Sequence, residues 1–195
     1  MNRYRSLQET FGAQGRVGQL GERYFSRGIK KSGLDKFQVF YSLSIPDVPN
    51  RPHLGGDIDC VLVNGNRVVL IDVKRWAGSR FWSFPLLGEV RPMKGLGWYR
   101  PNGDWKLSRN MEAAMERIRF KLPGADVSAI VVFVPTQDGD LNSVPGSVDL
   151  LIWPGAIRSF ISGHAFAELY DRLGREVVEP AAHILQTLAR LERRG

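Results

Sequence analysis

Apolar residues along the chain switch between two spacings, and the switches outline the elements. From Gly15 to about Arg27, Val17, Leu20, Tyr24 and Phe25 fall at i, i+3, i+7 and i+8, one face of a helix, with Gly28 placed to end it. Phe37, Val39, Tyr41, Leu43 and Ile45 then alternate with Gln38, Phe40, Ser42 and Ser44, the two-residue period of a strand. Residues 46–56, rich in Pro, Asn and Gly, connect it to a second strand, Ile58 to Val63. Asn64-Gly65-Asn66 is a tight-turn signal, so the next strand, Arg67 to Lys74, folds back on the second as a hairpin. Residues 75–107 break the pattern. They hold four of the five tryptophans (Trp76, Trp82, Trp98, Trp105) without regular spacing, and they read as an inserted meander or loop rather than core.

Periodicity returns at Ser108 to Leu122, a helix with Met111, Ala114, Met115, Ile118 and Leu122 on one stripe, Ser108 as its N-cap and Pro123-Gly124 as its stop. The apolar stretch Val127 to Val134, broken only by Ser128, is a buried strand, and Val148 to Trp153 a second short one. Residues 164–173 and 180–193 are closing helices, the last with Ala181, Ile184, Leu185, Leu188 and Leu191 on its apolar face. Residues 1–15, polar and punctuated by glycine, are expected to fray. The order α-β-β-β-α-β-β-α-α predicts an α/β fold, a mixed sheet with helices on both faces. It is expected to form one domain over residues 1–195, with an insertion at 75–107 and C-terminal helices at 164–193.

Composition narrows the function classes. Hydrophobic residues at 43% and charged residues at 24% are ordinary for a folded globular chain. The longest apolar run, Ala129 to Val134, is six residues, against the roughly 18 that a membrane-spanning helix requires. The first 30 residues carry scattered charge and no apolar stretch, so no secretory leader is expected. Cys60 is the only cysteine, which excludes intramolecular disulfides and multi-cysteine zinc sites and points to a reducing cytoplasm. A net charge of +7 favours a polyanionic partner.

Two acidic clusters stand apart from the scattered surface charge: Gly56-Asp57-Ile58-Asp59 at the start of the second strand and Ile71-Asp72-Val73-Lys74 at the end of the third. Counting back from the Asn64-Gly65 turn sets position 59 beside about 70 to 72, so Asp59 and Asp72 become neighbours. Alternation puts Asp72 and Lys74 on one face with Val73 on the other. Adjacent carboxylates repel unless a cation lies between them. Mg²⁺ (or Mn²⁺) is a hard ion satisfied by one or two carboxylates, water and phosphate oxygens, and the Val73 backbone carbonyl would add a ligand. Lys74 is placed to hold the attacking water and to offset charge on the phosphate. Together these make the minimum equipment for metal-dependent phosphodiester hydrolysis.

Asp59, followed thirteen positions on by Asp72-Val73-Lys74, resembles the PD-(D/E)xK nuclease signature. The surrounding text is similar to one branch, the nuclease-related domain family. Gly18-Gln19-Leu20-Gly21-Glu22 resembles its opening glycine–glutamate helix. Gly56 to Val63 resembles its second strand, and Ile71-Asp72-Val73-Lys74-Arg75-Trp76-Ala77-Gly78 its catalytic strand with the trailing tryptophan and glycine. The resemblance covers about residues 15–135. It implies a restriction-endonuclease-like αβββαβ core and nuclease activity, most directly on DNA, with RNA left open. Departures are Asp72 where the family usually has Glu, no Pro or Gln in Ser108 to Ala114 where the family often has both, and the long insertion.

Each residue has a plainer alternative. A D-x-K triplet alone is common; its pairing with the D-x-D one hairpin back favours Asp59 and Asp72 as metal ligands over a surface ion-pair cluster. Asp57 shares a face with Asp59 and reads as a loop brace. Glu22 lies about 140° from Val17 on the helical wheel; it is either a solvated flank residue or, if Gly18 and Gly21 bring the helix close, an auxiliary acid at the site. Arg75, Arg80, Arg91, Lys94 and Arg100, interleaved with aromatics, form a candidate nucleic-acid surface, the alternative for the aromatics being a small satellite core. The spaced glycines Gly12, Gly15, Gly18 and Gly21 follow no strand and precede no Lys-Ser/Thr, so they are not a phosphate loop. His53, His164 and His183 lack ligand spacing. Two rival functions are a non-catalytic nucleic-acid-binding module and a hydrolase of small phosphates. The complete acid–acid–lysine set argues against the first and the basic aromatic insertion against the second. The oligomeric state stays open, a homodimer included.

Overall fold

The computed structural model describes residues 20–75, 80–84, 89–94, 97–98, 109–134 and 158–192. In chain order the elements are a helix α1 (residues 20–31), a 3-10 turn (Leu34–Lys36), and strands β1 (Gln38–Ser44), β2 (Asp57–Asn64) and β3 (Arg67–Lys74). Then come β4 (Arg80–Phe84), β5 (Glu89–Lys94), β6 (Gly97–Trp98), α2 (Arg109–Lys121), β7 (Asp126–Phe133), β8 (Arg158–Ile161), α3 (Ser162–Leu173) and α4 (Ala182–Leu191).

The β2–β3 hairpin turns at Gly65-Asn66, with Gly65 at φ 58°, a left-handed value that glycine adopts without steric cost. Asn64 pairs with Arg67 and Cys60 with Ile71, so the two-residue turn sets the whole register. β7 lies parallel to β3 and β8 parallel to β7, giving the order β1-β2-β3-β7-β8. From Ala129 to Phe133 β7 is an unbroken apolar run buried on both faces, as expected for a strand in the parallel part of a sheet. On one face α1 and α3 pack Phe25, Ile29, Leu169 and Leu173 onto Leu62, Val69, Ile71 and Ile130. On the other, α2 and α4 pack Met111, Ile118, Ile184 and Leu188 onto Val61, Leu70 and Ala129. Each such side chain, fully buried, contributes about 1.5–3 kcal/mol. The core is the α-β-β-β-α-β order of the restriction-endonuclease-like fold. The described strands of the insertion, β4, β5 and β6, pair as a separate three-stranded antiparallel sheet in the order β4-β5-β6.

Three expectations need correction. Leu20 and Tyr24 are 49% and 45% exposed, and α1 turns Gly21, Phe25 and Ile29 inward instead. Gly28 does not end the helix; it lets α1 pass α3, since a β-carbon there would meet Phe166 Cζ at 2.1 Å. The single alternation along β1 also fails. Phe37 and Val39 face α1 and α3, whereas Leu43 and Ile45 face α2 and α4. Ser42, at φ 54°, reverses the pleat between them. β2 reverses at the facing position, with Ile58 on one side and Cys60 on the other. The strand expected at 148–153, the Ser108 cap and residues 1–15 lie outside the described residues.

The connection from α3 to α4 is tied to the hairpin by Asn64, which the hydropathy pattern treats only as a turn residue. Its Nδ2 donates to the carbonyls of Leu173 (2.9 Å) and Glu176 (2.7 Å), and its Oδ1 accepts the Val178 N–H at 2.6 Å. Asn64→Leu strands the Glu176 carbonyl and the Val178 N–H, while the Leu173 carbonyl keeps the Arg67 guanidinium at 3.0 Å. The expected cost is about 1–3 kcal/mol, read as a fall in Tm of about 3–10 °C in a thermal melt.

Candidate active site

Asp59 and Asp72 lie at the end of the hairpin away from its turn. The β2–β3 ladder closes at Cys60 with Ile71. Beyond that pair β1 follows β2 to Ser44 with Asp57, and β7 follows β3 to Lys74 with Phe133. The sheet parts between β2 and β3, and the register that closes on Cys60 and Ile71 sets Asp59 and Asp72 on either side of the parting. Asp59 bridges it: its Oδ2 accepts the Val73 N–H at 2.6 Å. The carboxylate thus satisfies a buried backbone donor that the β2 ladder no longer reaches.

Val73 packs into the core against α1 and α3, so Asp72 and Lys74 project to the other face of β3. Lys74 Nζ donates to Asp72 Oδ1 at 2.8 Å, the Asp72 side chain being only 9% exposed. Asp72 Oδ2 is buried and has no hydrogen-bond partner among the described residues. An orphaned buried acceptor of this kind costs about 1–3 kcal/mol, more when charged. Burial, and then the charge of Asp72, push the Asp59 carboxyl up to about 8; the Val73 N–H and Lys74 pull it down, and Glu22 adds to the rise.

The structure brings Glu22 to the same end. It is exposed on α1, with its charge felt at Asp59. α1 comes close to β3 and β7 at Gly21, where a β-carbon would sit 3.1 Å from Arg75 Cβ and 3.3 Å from Val134 Cγ2, tighter than ordinary contact. Gly18 lies outside the described residues. Asp57 opens β2 opposite Ser44, one residue further from the parting than Ile58.

The donor set fits a hard divalent cation. It offers two carboxylates, one oriented by a backbone N–H and the other by an ammonium, with one oxygen left unsatisfied. Among the described residues no three His, Cys, Asp or Glu side chains form a cluster that could hold a metal. Among the described residues the site thus offers two carboxylates, the situation in which Mg²⁺ keeps waters and takes substrate oxygens.

The family model of the nuclease-related domain matches residues 17–134, more than half of the chain. The chain belongs to the nuclease-related domain family. Comparison with curated proteins and with solved structures returned no match. The matched nuclease-related domain spans α1 to the end of β7 and so contains Glu22, Asp59, Asp72 and Lys74.

The basic residues of the insertion are placed only in part. Arg75 follows β3 beside α1 at Gly21. Arg80 stands on β4 opposite Met93, Arg91 on β5 opposite Trp82, and Lys94 at the end of β5 opposite Gly97. Arg100 lies outside the described residues. Two contributors to this nuclease-related site had no side-chain signature in the sequence: the Val73 N–H and the paired reversals at Ser42 and Asp59. Cys60, next to Asp59, is buried and its thiol is raised by burial, so it is an inert core residue. Among the described residues no helix is long and apolar enough to cross a membrane.

Proposed function

We propose that this nuclease-related protein is a Mg²⁺-dependent deoxyribonuclease, with Mn²⁺ able to substitute, acting in the cytoplasm as a single domain. The observation that carries the reading is the pairing of Asp59 and Asp72 at the parting of β2 and β3, with Lys74 2.8 Å from Asp72 and one Asp72 oxygen unsatisfied. Asp59, Asp72 and the Val73 carbonyl would hold the ion, which supplies Lewis-acid polarisation and an acidified water. The Val73 N–H keeps Asp59 aimed across the parting. Lys74 orients Asp72 and brings its positive charge to where negative charge builds on the phosphate, the kind of preorganised contact that stabilises a transition state most. Glu22 adds a further negative charge from α1, fit to position a water or a cation.

The direct test is cleavage of supercoiled plasmid, linear duplex and single-stranded DNA, with matched RNA alongside. Cleavage that needs Mg²⁺ or Mn²⁺ and stops with EDTA is expected, faster on DNA than on RNA. No cleavage of any substrate with either metal overturns the reading. A small aryl phosphate cleaved in preference to DNA would assign the site to small phosphates instead.

Binding by the insertion makes a separate prediction. If Arg80, Arg91, Lys94 and Arg100 meet phosphates, each adds about 0.9 to the slope of log affinity against log salt for duplex DNA. Replacing all four by Gln flattens that slope by roughly three to four units. In a satellite core, by contrast, charge removal leaves the slope alone and Trp82→Ala lowers Tm.

A further inference from the structure

The correction to α1 exposes a surface that the catalytic reading does not use. On the helical wheel, at about 100° per residue, Leu20, Arg23, Tyr24, Arg27, Lys30 and Lys31 fall within about 120° of one another. All six are exposed, and the buried face of Gly21, Phe25 and Ile29 points the opposite way. No acidic residue of α1 shares the arc; Glu22 falls outside it, about 20° from Ile29 on the wheel, and its charge is felt at Asp59. Among the described residues none forms an ion pair with Arg27, Lys30 or Lys31.

We propose that the outer face of α1 is a duplex-DNA backbone-binding surface, with Arg27, Lys30 and Lys31 neutralising phosphates and Tyr24 packing beside them. The inference rests on the nuclease reading for DNA as the polyanion, and on α1 itself for the charge that meets it. The stripe starts within a turn of Glu22 and runs away from the site. From Arg23 to Lys31 it extends about 12 Å along the helix axis. That length matches three to four successive phosphates of one strand, spaced about 3.4 Å along the duplex axis. Sequence-independent contacts of this kind suit long basic side chains on a rigid helix. An anionic membrane is the less favoured partner. An interfacial helix needs a broad apolar face to insert, and the apolar face of α1 is already buried in the core.

The test is binding of a fluorescent duplex of about three helical turns, in EDTA, as a function of salt. Wild type is compared with Arg27→Gln/Lys30→Gln/Lys31→Gln and with the charge-conserving Arg27→Lys/Lys30→Arg/Lys31→Arg. The neutral variant should flatten the salt slope by roughly two to three units and lose at least tenfold in affinity at low salt. The charge-conserving variant should keep the wild-type slope. An unchanged slope in the neutral variant overturns the proposal. So does retention of DNA affinity coupled to loss of binding to phosphatidylserine-containing vesicles, which would assign the stripe to a membrane surface. Because the readout is binding without metal, the two readings fail separately. A wild type that binds through α1 yet never cleaves upholds this surface and removes the catalytic reading. Cleavage with an unchanged slope removes this surface alone.

Discussion

Asp72→Asn is expected to lower Mg²⁺-dependent DNA cleavage at least about a hundredfold, the loss seen when one preorganised electrostatic contact to a transition state is removed. The substitution keeps the shape of the side chain and a carbonyl oxygen to receive Lys74 Nζ, which now sits 2.8 Å from Asp72 Oδ1. It removes the negative charge and puts an amide NH2 donor in the place of the unsatisfied Oδ2. The chain should fold as before, with DNA affinity in EDTA near wild type or higher, since a charge that repels phosphate is gone. Lys74→Ala should show the same separation of binding from cleavage for the opposite reason, the loss of the positive charge beside Asp72. Measuring single-turnover cleavage, duplex affinity and Tm on the same preparations decides the matter. Wild-type cleavage by either variant with Mg²⁺ supplied would falsify the catalytic assignment.

Asp59→Asn is expected to abolish cleavage and yet stabilise the metal-free protein at neutral and higher pH. The Asp59 carboxyl is raised from 3.8 to about 8, by burial first and Asp72 second. The native state then holds a proton that the unfolded chain has released. Between about pH 4 and pH 8 metal-free stability should therefore fall as pH rises, by about 1.4 kcal/mol per unit at most. Above the native value both states are ionised and the dependence ends. Asparagine has no such charge and retains an oxygen for the Val73 N–H, which Asp59 accepts at 2.6 Å. Its melting curve should be flatter with pH and its Tm higher than wild type at pH 8, by several degrees. Mg²⁺ should raise the wild-type Tm at pH 8 and leave the variant unchanged, because only the ionised pair gains from the ion. A variant less stable than wild type at pH 8 in EDTA contradicts this account of Asp59.

The pairing of Asp59 with Asp72 was legible because a two-residue Asn64-Gly65-Asn66-Arg67 turn leaves no freedom of register, and every later pair follows by counting. α2 and β7 were legible for a similar reason: the stripe Met111, Ala114, Met115, Ile118 and Leu122 and the run Ala129 to Val134 are all buried, so pattern and packing agree there, the exceptions in α2 being the buried Arg117 and the exposed Phe120. Helix α1 misled because its inward face is built partly from glycine. Gly21 and Gly28 carry no hydropathy, so Leu20 and Tyr24 pulled the expected stripe around the helix; the contact that demands glycine at position 28 comes from Phe166, and the tight contacts at Gly21 from Arg75 and Val134, all far along the chain. The reversals at Ser42 and Asp59 are backbone events in residues whose side chains give no warning. The role of Asn64 depends on carbonyls more than a hundred positions away. In each case the deciding partner is distant in sequence, where local periodicity carries no information.

The most direct measurement of the central claim is anomalous diffraction from a crystal soaked in Mn²⁺, standing in for Mg²⁺. The account predicts an ion at the parting of β2 and β3. Carboxylate oxygens of both Asp59 and Asp72 should lie at about 2.1 Å from it, with waters filling most remaining positions and Lys74 beside the shell without ligating. A crystal that takes up Mn²⁺ elsewhere, or leaves Asp59 and Asp72 joined only to Val73 and Lys74 at saturating metal, contradicts it.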